Sequence, residues 1–411
     1  VNLSLLFVVQ RYKTMSNKPL SIDIIEELVA KAEILRQCGK LPVAAEVLTK
    51  GIKLAPQNKR LYYALTETLF EAEQYQAALD SIEKVDSQEI DVRQAELKGF
   101  CLEKLQRYPE SEQIVDQILG VTEASAPALN LKGLLFYHKK DLQRAEQYFE
   151  SAIESDPEYG QACMNLGLLK LEMGDDRKAL EILHTGFVLS PHVNAVANTF
   201  HEVVSALGAF AEAEPIFRDA CRRYPVNKRL AYLLIDILIQ QKKFRESMSA
   251  IEGCLATFGV EDGILAPALK IRAALGPRAI DPEKLTNGSI SLCMIVKNEE
   301  SHLAKCLESV KKAVNEIVVV DTGSTDRSAD IARAYGADVY TCEWHNDFSQ
   351  ARNLSLSKAR GQWILILDAD EKIAQRDLEL LSMLTSQEPA GACAFKFVTR
   401  NYTKDAGAEG W

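Results

Sequence analysis

Residues 20–260 repeat themselves at one spacing. Gly133 and Gly167 stand 34 residues apart; so do Ala145, Ala179 and Ala213, and so do Pro157, Pro191 and Pro225. Three independent registers with one period leave few folds open, because such a chain must build one small unit many times and stack the copies. Between the markers, apolar residues fall at helical spacing: Leu129, Leu131, Leu134 and Leu135, then Ala145, Tyr148, Phe149, Ala152 and Ile153. Each unit is therefore expected to be a pair of helices closed by an "SDP" or "LSP" turn, with small residues where two helices approach closely.

This pattern resembles the tetratricopeptide repeat, best in residues 126–159, "APALNLKGLLFYHKKDLQRAEQYFESAIESDPEY", and in 160–193. Weaker signatures extend back to about residue 25 through Ala32, Ala44 and Pro56, and forward to about 261, where Ser247 and Cys254 replace the usual alanines. About seven hairpins are expected, the second and third irregular because their closing prolines are missing. A helix with "LAPALKIRAALG", ending at Gly276, caps the stack, and His138, His184, His192 and His201 lack metal spacing. Such an α-solenoid offers a concave face to a peptide or protein; a spacer or dimerisation arm without a ligand is the plainer reading.

Composition excludes some partners. The 411 residues carry 47% apolar and 26% charged residues, a net charge of −10 and no run of Lys and Arg, so neither a nucleic-acid groove nor an anionic membrane surface is indicated. Nine cysteines without a C-x-x-C pair read as reduced, buried thiols and a cytoplasmic protein. The apolar run Leu5–Val9 is too short to span a membrane and lacks signal-peptide flanks. Residues 1–19 are expected to be a disordered or non-native extension, with Met15 the natural start, and residues 20–276 to be the solenoid.

After "PRAIDPEKLTNGS", residues 277–289, which reads as a linker, the period changes. Strand-like runs at 290–296, 316–321, 337–344, 363–368 and 392–398 alternate with amphipathic segments at 299–314, 326–335, 348–359 and 373–386. That alternation predicts a mainly parallel α/β sheet whose ligands bind beyond the carboxyl ends of the strands. The strand ends are polar: "KNEE" after the first, "DTGSTDRS" after the second, "DADE" after the fourth. In "WILILDADEK" the apolar run Trp363–Leu367 predicts a buried strand that then delivers Asp368, Asp370 and Glu371 within four positions. Each string alone has a plainer reading. Gly323 can turn the chain while Ser324, Thr325 or Asp326 caps the next helix, and Asp370 can be an N-cap.

In order and spacing, "SLCMIVKNEESHLAKCLESV", "EIVVVDTGSTDRSADIA" and "FSQARNLSLSKARGQWILILDADE" together resemble the family 2 glycosyltransferases of the GT-A fold, nearly continuously from 290 to 373. With the repeats, the chain is similar to the tetratricopeptide-bearing members of that family. The resemblance implies a nucleotide-diphosphate sugar as donor substrate and a divalent cation, Mn or Mg, since an all-oxygen site suits a hard metal. It places Asp370 on the metal, and Asp368 on the ribose hydroxyls and, through water, the metal. It places Asp321 against the nucleobase, with Gly323 and Ser324 keeping the turn narrow, and Val296, Lys297, Asn298 and Glu299 against base and ribose. Arg352 and Asn353 open toward the same cleft, their plainer reading being a solvated helix face. Glu371 is read as a helix-terminal charge and Asp326 as a helix cap; Trp344 and His345 have no spacing that places them.

The family's inverting mechanism also needs a carboxylate base downstream of the D-x-D. Asp405 and Glu409 are the only acids after Glu388 and nothing gives either that position, so residues 290–411 are expected to be the donor-binding part of a truncated domain, with the catalytic base beyond residue 411. The expected partners are the nucleotide sugar, an acceptor polypeptide or cell-surface glycan precursor, and a protein on the repeat array; neither nucleic acid nor a membrane-spanning segment is expected. Two rivals remain. A nucleotidyltransferase would carry a Gly-rich phosphate loop where "KNEES" stands, and a repeat-based interaction scaffold would have an inactive transferase-like domain.

Overall fold

The structure is a computed structural model and describes residues 22–37, 39–85, 91–122, 124–278, 288–385 and 393–395. The chain divides into two compact units at Gly208. The first holds α1 (Ile22–Gln37), α2 (Leu41–Leu54), α3 (Lys59–Glu71), α4 (Tyr75–Ile82), α5 (Val92–Lys104), α6 (Tyr108–Val121), α7 (Ala126–His138), α8 (Leu142–Ser155), α9 (Gly160–Glu172), α10 (Asp176–Leu189) and α11 (Asn194–Leu207). The second begins with α12 (Phe210–Arg223), α13 (Lys228–Gln240), α14 (Phe244–Phe258) and α15 (Asp262–Leu275). These are the helices of a tetratricopeptide-like array. Among the described residues none is long and apolar enough to cross a membrane.

Close packing explains the repeated glycines. A Cβ on Gly133 would lie 2.6 Å from the Phe149 ring, and one on Gly167 2.5 Å from Leu183 Cγ, so a side chain at either position would force each hairpin apart. A second comb of residues was not legible from composition. Gly39, Glu73, Gln106, Lys140, Gly174, Gly208 and Lys242 all adopt positive φ between 58° and 82°. They occupy one turn position, repeated every 33 or 34 residues. After all of these but Gly208, the next residue (Lys40, Gln74, Arg107, Asp141, Asp175, Lys243) donates its N–H to the carbonyl five positions back, at 2.8–3.0 Å. This left-handed cap terminates a helix by satisfying its last carbonyls. Glu73 and Gln106 show that the second and third hairpins, which lack the closing proline, keep the same turn.

The remainder of the second unit is a sheet of β1 (Ile290–Val296), β2 (Glu316–Asp321), β3 (Asp338–Thr341) and β4 (Trp363–Ile366), all parallel, in the order β3-β2-β1-β4. The connecting helices are α16 (Leu303–Val310), α17 (Ser328–Ala334) and α18 (Phe348–Lys358), and α19 (Gln375–Thr385) follows β4. One sheet face, with Leu292, Met294, Val296, Ile317 and Val319, packs on α16 and α17 and shares its core with Leu255, Ile264, Leu265 and Ala268 of α14 and α15. The other carries Val320 against Ala351 of α18.

β4 departs from the expectation of a wholly buried strand. Leu365 and Leu367 are buried, but Ile364 and Ile366 are 46% and 51% exposed. The reason is position: β4 is the edge of the described sheet, and α18 covers β1 and β2 on that face. The expected N-terminal extension, most of the expected linker (279–287), Asp405, Glu409 and most of the run 392–398 lie outside the described residues.

Candidate donor site

The strand order reverses between β1 and β4: β2 and β3 continue to one side of β1, and the chain then crosses to the other. In a parallel sheet this leaves a crevice beyond the carboxyl ends of the two strands, where the loops diverge. Val296, the last residue of β1, and Leu367, just past β4, are buried there, and the polar strings follow.

On the β1/β2 side, two loops are laced together. Asn298 sits at φ +57° and donates its N–H to Ser324 Oγ at 3.0 Å, while its Oδ1 accepts from the Thr325 N–H at 2.8 Å. The Glu299 N–H donates to Ser328 Oγ at 2.8 Å and the Glu300 N–H to Asp326 Oδ2 at 3.0 Å. In return, Glu300 accepts from the Arg327 N–H at 3.0 Å and from its guanidinium. Asp326 also takes the Ser328 N–H and hydroxyl on Oδ1, at 2.9 and 2.6 Å. Its capping role is thus joined to a cross-loop one.

Asp321, buried at the end of β2, accepts both the N–H and the hydroxyl of Ser324 on Oδ1, at 3.0 and 2.6 Å. Its Oδ2 takes neither bond. Gly323, at φ +95°, turns the chain in open space, a conformation a side chain would strain.

The β4 side is open. Arg352 reaches from α18 to donate to the Cys293 carbonyl at 3.2 Å, and its Nη2 lies 3.6 Å from Asp368 Oδ1. The Asp368 side chain is 67% exposed. Asp370, Lys297 and Asn353 are exposed. Glu371 is not at a helix end, because α19 begins only at Gln375. It closes the D-A-D-E turn instead: its carboxylate accepts the Asp368 N–H at 3.1 Å and its own N–H reaches the Asp368 carbonyl at 3.0 Å.

The acids form one local field. The buried Cys306 thiol, which donates to the Asp368 carbonyl, is pushed up to about 12 by burial and then by Glu371, Asp370 and Asp368. Among the described residues no group of three or more His, Cys, Asp or Glu side chains is arranged as a metal cage. The oxygen-only pair Asp368 and Asp370, exposed at a strand end, fits a hard cation that takes its other ligands from phosphate and water.

The structure thus brings Asn298, Ser324 and Asp321 into one network and Arg352 to Asp368. It makes no contact for Lys297, Asn353 or the Asp370 carboxylate among the described residues. Glu300 and Ser328 were missed by sequence reasoning, and Thr325, expected only as a possible helix cap, instead donates to Asn298. The only signal was the density of polar residues in "KNEE" and "STDRS", and pairing across 26–29 positions has no period to reveal it.

Residues 291–408 match glycosyl transferase family 2, and residues 102–160 and 136–187 match tetratricopeptide repeat families. A TPR repeat-containing protein of Synechococcus elongatus is 49% identical over 100 residues, 24% of this chain and 25% of that protein. The SPbeta prophage-derived glycosyltransferase SunS of Bacillus subtilis is 43% identical over 90 residues, 21% of each. An uncharacterized glycosyltransferase of Rickettsia typhi is 38% identical over 86 residues, 21% of this chain and 29% of that protein. The chain spans about a fifth to a quarter of the length of the first two relatives it matches.

Proposed function

We propose that this polypeptide, which joins tetratricopeptide repeats to a glycosyltransferase family 2 region, binds a nucleotide-diphosphate sugar at the β1/β4 crevice and serves sugar transfer to an acceptor recruited through the repeats. The family match and the glycosyltransferase relatives support the glycosyl-transfer role. The observation that carries the donor reading is the pairing of a laced, preformed loop pair at β1/β2 with an exposed carboxylate pair at β4, both at the switch point. The first suits a nucleoside, which needs a shaped slot; the second suits a cation and diphosphate, which need accessible oxygens.

Each residue has a task in this reading. Asp321, with Oδ1 occupied by Ser324, offers Oδ2 to an N–H on the base edge. Asn298 and Glu299 fix the loop on which base and ribose rest. Asp368 and Asp370 would hold a divalent cation, Mn or Mg, which when bound supplies positive charge opposite the diphosphate. Arg352 lies within ion-pair reach of Asp368, and Asn353 and Lys297 are read as facing the crevice. Transfer is read as inverting. An acceptor oxygen attacks the anomeric carbon, the bond to the diphosphate oxygen breaks with its electron pair leaving on phosphate, and a base takes the acceptor proton. The acceptor is read as a polypeptide or a cell-surface glycan precursor, because a repeat array presents an extended surface. Among the described residues the thiols are unbridged and mostly buried, in agreement with a cytoplasmic setting.

Calorimetric titration of UDP, GDP and ADP, with and without Mn, tests this reading. One nucleotide should bind with Mn and far less without it. No binding of any of them in Mn would favour the reading as a repeat scaffold with an inactive domain.

A further inference from the structure

The lacing of the donor loops continues into the repeat helices of the same unit. The Arg327 guanidinium, which holds Glu300, also donates to Asp262 Oδ1 at 2.9 Å, at the first turn of α15. Behind it lies a buried ionic cluster. Glu252 of α14 accepts from Arg272 of α15 and from Lys311 beyond α16, each at 2.8 Å. Its backbone carbonyl accepts the Tyr335 hydroxyl at 2.6 Å, and Arg272 Nε donates to the Ala334 carbonyl at 3.1 Å. Apolar packing is equally continuous, since Leu255, Leu265 and Ile271 share a core with Met294, Leu303 and Ile331. A half-open pocket of about 280 Å³ lies at the junction, with Leu255 and Val260 on one side and Asn298, Glu300, Lys305 and Asp326 on the other.

We infer that the α14–α15 hairpin is a working part of the donor site: Arg327 is a positioning residue that holds both donor loops against Asp262, so that donor occupancy and the order of the hairpin are coupled. The inference rests on the donor reading above for its ligand, though its geometry stands without it. Three features make the coupling physical. The hairpin is fastened through Glu252, which Arg272 and Lys311 share, with Glu308 a second carboxylate on Lys311. The loops are joined to the hairpin through one guanidinium that bridges Glu300 and the exposed Asp262. Coupling is reciprocal, so a nucleotide that orders the loops orders the hairpin, and a partner that loads the hairpin changes nucleotide affinity by the same factor.

Amide hydrogen exchange on the full chain, with Mn alone and with Mn plus whichever of UDP, GDP or ADP binds, tests this. Exchange should slow in 296–300 and 321–328, and also in 262–275 by about fivefold or more, the lower end of ordinary coupling. Protection of the loops with none in 262–275 overturns the inference while leaving the donor reading in place. If no nucleotide protects the loops, the donor reading fails and the coupling is judged on Arg327→Ala without ligand. Exchange should then rise in both 296–300 and 262–275, with the core of β2 at 317–320 unchanged, and Arg327→Lys, which keeps one of the two bonds, should fall between. A rise confined to one side, or spread evenly into β2, overturns the inference.

Discussion

The two sides of the crevice are built on opposite principles. At β1/β2 the loops are tied to each other by side-chain to backbone bonds across 26–29 residues, and the acids there, Asp321, Asp326 and Glu300, each accept from internal donors, with Asp321 keeping Oδ2 clear of them. At β4 the acids stand clear: Asp368 is two-thirds exposed, Asp370 is exposed, and Arg352 only brushes the first at 3.6 Å. A slot that recognises a shape is best held rigid before its ligand arrives, since ordering it at binding would cost affinity. Carboxylates that take up a cation gain from staying solvated until it comes. Substitutions on the first side should therefore read out as stability, and those on the second as ligand dependence.

The largest effect should come from the foundation under the closed side. Glu252→Ala strips the half-buried Arg272 of its carboxylate and leaves the buried Lys311 with Glu308 alone, so the loss should be about 3 kcal/mol, the lower end for a broken buried pair. Denaturant unfolding of the full chain followed by the fluorescence of Trp344 and Trp363 should show the loss. If the midpoint were unchanged, the cluster would be a solvated contact and the closed side would lack its base.

How far this contrast could be read from sequence depends on the distance over which residues act. The array was legible because each marker works within one hairpin: Gly133 against Phe149, or a cap joining residues five apart. The strands β1 and β2 were expected at the positions they occupy, because a central parallel strand is apolar on both faces. β4 was read as buried because its run looks the same, yet an edge position exposes Ile364 and Ile366, and strand order is not written in any one segment. The candidate donor residues were visible as polar strand ends, but Glu300 and Ser328 were not. Their partners lie on another loop, and Arg327, which ties that loop to Asp262, looks in sequence like one more charge on a helix end.

An intermediate effect is expected from Asp326→Ala, which removes an acceptor of bonds from the Glu300 amide and from the amide and hydroxyl of Ser328. Bonds to a charged acceptor are worth more than neutral ones, so the loss should be about 2 kcal/mol. It carries a pH signature. Burial alone would raise the Asp326 carboxyl, but the Ser328 and Glu300 donors outweigh it and hold the group below its ordinary value; Arg327 depresses Glu300 likewise. A depressed carboxylate stabilises fully above its unfolded value, about 3.9 for Asp and 4.3 for Glu, and ceases to as pH falls through the lower folded value. Unfolding at graded pH should show the wild type losing stability below about pH 4 more steeply than the variant. Parallel acid limbs would mean that the Asp326 charge does not hold the loops.

The smallest effect on stability, and the sharpest test of the contrast, belongs to Asp370→Ala. Asp370 is exposed and its side chain has no partner among the described residues, so folding should lose nothing beyond the roughly ±0.5 kcal/mol of an ordinary surface change. The direction should be toward stability. Asp368, Asp370 and Glu371 crowd within four positions, and all three reach the Cys306 thiol electrostatically, so removing one relieves repulsion among the others. Binding should move the other way. With one of two carboxylates gone, a cation has too few fixed oxygens to sit opposite the diphosphate, and the Mn-dependent part of nucleotide affinity should disappear while the Mn-independent part, set by the laced loops, persists. Titration of wild type and variant at matched Mn, paired with denaturant midpoints, separates the two quantities. A variant that lost both together would make Asp370 part of the closed framework, and one that lost neither would move the cation elsewhere.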